Sequence, residues 1–242
     1  MPILSALDVL FIVGYSATGL IFAYAAYWAF IVRHVLMVPI YRRQALGVGL
    51  VALILALILL TGLPLAYINA AGQISALLPI FAFGAMFYWI DASVLEARRS
   101  DPLLRYTLHW KQLRYAFWAV DLSALISIVV IEFATGGNPG GEAANVIFNL
   151  PFYITVISGV TLVPMAAFRS RDMVLRRHLV WFALFAGIMA VSLSVASFVL
   201  VDYLQELFTS ILGLFLGAYC LYRSSKSLVP LKEKVLNRPG TW

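Results

Sequence analysis

The chain has 242 residues, 63% hydrophobic and only 12% charged, with a net charge of +6 and a mean hydropathy of +0.94. That balance excludes a water-soluble globular domain and a disordered chain. The single cysteine, Cys220, excludes an intramolecular disulfide or a cysteine-based zinc cluster.

A helix needs about 20 apolar residues to cross a bilayer, and stretches of that length recur along the whole chain. The first, residues 7–32, follows no basic segment and precedes no small-residue cleavage signature, so it is expected to remain as an anchor. Arg33, Arg42 and Arg43 separate it from the second, residues 46–68, which contains Pro64. The third, residues 76–97, opens near Pro79, carries Tyr88 and Asp91, and ends in the cluster EARRSD. There Glu96 precedes Arg99 by one helical turn and Asp101 precedes Arg105 similarly, which reads as a solvated collar.

Asp101 followed by Pro102 has the pattern of a helix cap and first helical position. An interfacial helix is expected from there, with Leu104, Leu108 and Trp110 alternating with Arg105, His109 and Lys111. The fourth stretch, residues 114–134, carries Asp121. It ends in the turn-rich loop TGGNPGGEAAN, residues 135–145. The fifth, residues 148–168, holds Pro151 and Pro164, and Arg169, Arg171, Arg176 and Arg177 lead to the sixth, residues 178–201. The seventh, residues 206–222, contains Gly213 and Gly217, a spacing that lets a helix approach a neighbour closely.

All 17 Lys and Arg fall in alternate connections and in the tail after residue 222, whereas Asp8, Glu132, Glu142, Asp202 and Glu206 belong to the other face. Because basic residues are retained in the cytoplasm, the expectation is an all-α, multi-pass protein of the cell membrane. Residues 1–223 form a seven-helix bundle with the amino terminus outside, and residues 224–242 a short basic cytoplasmic tail. The sequence pI near 9.5 then describes one face only. Its partner is the lipid bilayer, with some attraction to anionic lipid, and no nucleic acid is expected.

Asp91 and Asp121 are the candidate site. Asp91 lies roughly 10 Å along the helix from Arg98, and Asp121 is seven residues beyond Arg114 on a span running the opposite way. Both acids are therefore expected at similar depth, facing inward, with no Lys or Arg beside them. Such groups must be hydrogen-bonded, protonated or paired, and the two can share a proton. Tyr88, Ser123, Ser127, Tyr24 and Tyr27 are the expected hydrogen-bonding partners. The competing reading is a pair of polar packing groups.

His34, His109 and His178 all fall at cytoplasmic span ends without HxxxH or HExxH spacing, so neither a metal site nor a bis-histidine haem is expected. Tyr27, Trp28, Trp110, Tyr115, Trp118, Trp181, Tyr219 and Tyr222 crowd toward the same boundary, as an aromatic belt does.

Seven spans with an external amino terminus resemble the topology of microbial rhodopsins and seven-helix receptors. The rhodopsin resemblance implies a Schiff-base lysine in the seventh helix, and residues 206–223, ELFTSILGLFLGAYCLYR, contain none. Covalent retinal is therefore disfavoured, and the cofactor is left open. The stretch ARRSDPLLRYTLHWKQLR, residues 97–114, is similar to the third connection of uncharacterised seven-helix membrane proteins of archaea, which implies a fold and a membrane location but no activity.

Three functions follow from these residues. The first is a non-enzymatic sensor or accessory subunit that meets another membrane subunit, or a second copy of the chain, through helix contacts at Gly213 and Gly217. The second is a proton-linked transporter or conductor using Asp91 and Asp121. The third is an enzyme acting on a lipid-like substrate at the cytoplasmic face, with Glu96 and His109 as acid and base.

Overall fold

The computed structural model describes residues 6–62, 72–100, 109–135, 142–198 and 203–229, and within them every element is helical. Seven helices follow in order: α1 (Ala6–Val35), α2 (Pro39–Leu57, continuing into a π-helical turn over Ile58–Gly62), α3 (Gly72–Ser100), α4 (Trp110–Thr135), α5 (Glu142–Arg169), α6 (Met173–Phe198) and α7 (Tyr203–Ser227). The cap at Asp101 and Pro102, most of the loop at residues 135–145 and the tail beyond Val229 lie outside the described residues. Among the described residues, four segments are long and apolar enough to cross a membrane: Ile12–Val35, Pro39–Thr61, Leu78–Arg99 and Met173–Ser192.

Several helices run further toward the basic end than their apolar stretches suggest. The reason is chemical: Arg and Lys are good helix formers and reach water through long apolar stems. Pro39 occupies the first turn of α2, where a missing N–H costs nothing. At the start of α6, Asp172 Oδ1 accepts from the N–H groups of Val174 (2.8 Å) and Leu175 (3.3 Å). Its Oδ2 accepts from the Tyr41 hydroxyl. One carboxylate thus caps α6 and ties it to α2.

The helices form a ring in the order α1, α2, α3, α5, α6, α7, closed by α7 against α1, and α4 lies outside the ring over the α3–α5 seam. The peripheral position of α4 is visible in its exposed apolar residues Tyr115, Leu122, Ile126 and Val130. The core is aromatic. Trp89 lies flat on Phe182, ring centroids 3.4 Å apart and 1° from parallel, which joins α3 to α6 across the ring. Gly47 on α2 admits that indole, since a Cβ there meets Trp89 Cβ at 2.7 Å and Cγ at 2.8 Å. A second small core of Val32, Leu36, Ala45 and Leu228 locks the end of α7 against the α1–α2 corner.

Candidate functional site

The two acids occupy separate positions on the α3–α4 seam. The helices run antiparallel, and the pairs that meet descend in step: Asp91 with Arg114, Phe87 with Phe117, and Gly84 with Asp121. Asp91 and the residue opposite Asp121 therefore lie seven positions apart on α3, about 10 Å along the axis. The expectation of one depth and a shared proton is corrected by this register.

Asp91 also has the basic neighbour that was not expected for it. Its Oδ2 lies 3.7 Å from Arg114 Nη1, and its Oδ1 accepts from Trp110 Nε1 at 2.6 Å. Arg114 stands one turn inside α4, and its long side chain reaches Asp91 across the seam. Trp110, assigned to the aromatic belt from sequence, is 1% exposed and stacks on Phe87. Tyr88 is half-buried one turn away, and the carboxylate is held by Trp110 and Arg114 instead. Tyr24, Tyr27 and Ser123, expected to serve the acids, are exposed; α1 packs on α2 and α7, far around the ring from α4.

Asp121 is different in kind. It is 8% exposed, and its Oδ1 is buried with no hydrogen-bond partner among the described residues. The other oxygen lies 3.0 Å from where a Cβ on Gly84 would stand. A glycine opposite the acid thus makes the room it occupies. Such a carboxyl is a high-energy group unless it is protonated or solvated.

The most connected polar site centres on His178, which sequence spacing assigned only to a span end. The imidazole is fully buried between four helices. Trp89 Nε1 of α3 donates to its Nε2 at 3.0 Å, and Gln44 Oε1 of α2 lies 3.2 Å from the same nitrogen. Its Nδ1 lies 3.0 Å from the Ser224 carbonyl and 2.9 Å from the Ser224 hydroxyl on α7. An indole N–H can only donate, so Nε2 must accept and the ring proton belongs on Nδ1, pointing at Ser224.

Ser93 extends the network by donating to the carbonyl of Trp89 (2.8 Å) and lying 3.2 Å from Gln44 Oε1. Gln44 Nε2 is buried without a partner among the described residues. Turning the amide over places its N–H₂ toward both His178 Nε2 and Ser93 Oγ, and an amide orientation is assigned from such a network. Gln44, Ser93, Trp89, His178 and Ser224 are all 0% exposed, so these bonds form away from water, where leaving one unmade is expensive. Gln44 and His178 each directly follow an arginine pair, Arg42–Arg43 and Arg176–Arg177, so in the sequence they read as part of the basic span ends.

The remaining candidates are dispersed. His34 and His109 are exposed, and with His178 buried the three histidines do not converge. Glu96 pairs with Arg99 at 3.5 Å on its own helix. Gly213 and Gly217 face α6 within the chain: a Cβ on Gly213 collides with the Ser192 side chain, and one on Gly217 meets Met189 and Phe185 at 3.3–3.4 Å. The expected external packing surface at these glycines is therefore an internal one. Comparison with protein families, curated proteins and solved structures finds no match. The resemblance of residues 97–114 accordingly rests on those residues alone.

Proposed function

We propose that the chain is an integral protein of the cell membrane that crosses the bilayer seven times, amino terminus outside, and serves as a non-enzymatic sensor or accessory subunit. Length supports the count beyond the four long apolar segments. Helices α4, α5 and α7 have 26, 28 and 25 residues, and at about 1.5 Å per residue each exceeds the ~30 Å hydrocarbon core. The alternation of basic connections supports the orientation.

The observation that carries the reading is the His178 network. It joins α2, α3 and α6 to the carbonyl and hydroxyl of Ser224, one turn before the end of α7. A change in helix arrangement alters those bonds, and the basic tail beyond α7 is where that change is delivered to a partner. The protein isolated from its native membrane and weighed intact tests this. A discrete additional subunit of constant mass is the expected result; a bare chain or a self-oligomer alone refutes the accessory role.

A second reading, proton-linked transport, is favoured by one observation, the unpartnered buried oxygen of Asp121. It now rests on Asp121 alone, because Asp91 is committed to Arg114 and Trp110. Proton flux into proteoliposomes that is abolished by Asp121→Asn and retained by Asp91→Asn supports it; flux unaffected by Asp121→Asn removes it.

A further inference from the structure

We propose that the outer seam between α6 and α7 is a binding site for one anionic phospholipid, its headgroup held at Arg223 and one acyl chain lying in the groove above. The groove is an open, almost wholly apolar cleft of about 470 Å³ between the two helices, with Leu184, Val191, Leu212 and Leu216 on its sides. Gly187 makes its depth: a Cβ built there meets nothing within 4 Å. The only hydroxyl among the lining residues is that of Ser192, beside Gly213. An apolar chain suits this lining, and a polar ligand does not.

Toward the basic end the same seam changes chemistry. Trp181 and Tyr219 meet edge to face, 6.0 Å apart at 88°, and the Arg223 guanidinium rests over both rings, 5.1 Å from the first and 6.0 Å from the second. Arg223 is exposed, and neither Glu96, paired with Arg99, nor Asp91, paired with Arg114, is its partner among the described residues. The aromatic rings fix the cation without neutralising it. Arg177, also exposed, stands one turn before Trp181 on α6.

The spacing matches a lipid. Arg223 is eleven residues from Leu212, about 16 Å along α7, which is one leaflet of a ~30 Å core. A cation at headgroup level, aromatic rings at the ester level and an apolar channel ending near mid-bilayer reproduce the order phosphate, glycerol, chain. Basic pockets between helices on the cytoplasmic side bind anionic headgroups in this manner. A partner helix would use the groove but leave the guanidinium unanswered, so charge favours the lipid.

The site rests on the membrane placement and not on the sensor reading, and lipid titration reads it whether or not a partner subunit exists. Purified protein is titrated with phosphatidylglycerol and with phosphatidylcholine, and bound lipid is counted by native mass spectrometry. The expected result is one phosphatidylglycerol held in preference to phosphatidylcholine. Arg223→Gln should lower that preference about fivefold, the effect of one surface cation. Gly187→Phe should fill the groove and reduce occupancy by both lipids, while Gly187→Ala leaves it intact. Equal binding of the two lipids by the unaltered chain overturns the site. So does an unchanged preference in Arg223→Gln or unchanged occupancy in Gly187→Phe. Thermal unfolding of the three variants confirms that each is folded, as an exposed residue and an open position allow.

Discussion

Replacing His178 by Leu tests the central network, and the structure says which bonds are lost. The Ser224 carbonyl keeps a donor, because the Ser227 hydroxyl reaches it at 2.6 Å. The Ser224 hydroxyl keeps an acceptor in the backbone oxygen of residue 178, 3.2 Å away. Gln44 loses its contact with the imidazole but keeps the one with Ser93 at 3.2 Å. The group left with no partner is the Trp89 indole N–H, which loses its 3.0 Å acceptor inside a fully buried layer. A buried donor left unmade costs about 1–3 kcal/mol, and that is the destabilisation expected for His178→Leu. Trp89→Phe removes the same donor from the other side, at the cost of a smaller ring against Phe182. Once one partner is gone, removing the second adds less, so the pair should be non-additive. The expected coupling is about 0.6–1.7 kcal/mol, the scale of hydrogen bonds inside membrane proteins. Equilibrium unfolding of the two single variants and the double variant in mixed micelles measures it. Strictly additive costs, or a His178→Leu chain as stable as the original, would refute the bond and the tautomer derived from it.

Gly47→Val should lose folded protein or cost about 1–3 kcal/mol by overpacking against Trp89, read as recovery of monodisperse protein and its unfolding midpoint. Gly213→Leu should be at least as damaging because Ser192 occupies the space; a stable variant that merely sheds a partner subunit would restore the external packing surface rejected above. Asp121→Leu should unfold no more easily than the original chain, and by the desolvation of an unpartnered acid should be more stable, a sign opposite to most core polar losses and checked in the same micelles. Asp172→Ala removes the cap of α6 and the Tyr41 contact together, and should cost about 0.5–2 kcal/mol; an unchanged midpoint would deny the cap a role.

Apolar run length and charge placement made the helices readable in order, because both are properties of consecutive residues. Arg42 and Arg43 read as connection in the sequence, and yet they lie in α2; charge alone does not end a helix whose side chains can reach water. Position along a helix was readable too: Asp91 and Arg98 lie two turns apart on the one continuous helix α3. What no count along one helix supplies is the register between two. A shift of seven residues on the α3–α4 seam turned a proposed carboxylate pair into an ion pair and a solitary acid. The His178 site was illegible for a related reason: its members come from residues 44, 89, 93, 178 and 224, and only ring closure brings them into one layer. Gly213 and Gly217 announced close approach but not to whom.

The closing of the ring by α7 also sets an order of events during synthesis. Helix α7 is made after the other six, and it contacts α1, so the barrel of helices stands open on one side until α7 has left the ribosome. Until then the nascent bundle has no Ser224 to receive the His178 proton and no Leu228 to cover Val32, Leu36 and Ala45. A chain that stops before residue 203 retains six helices and a water-seeking imidazole facing an unfilled slot. Arrival of α7 thus closes the ring and completes the polar network in a single step.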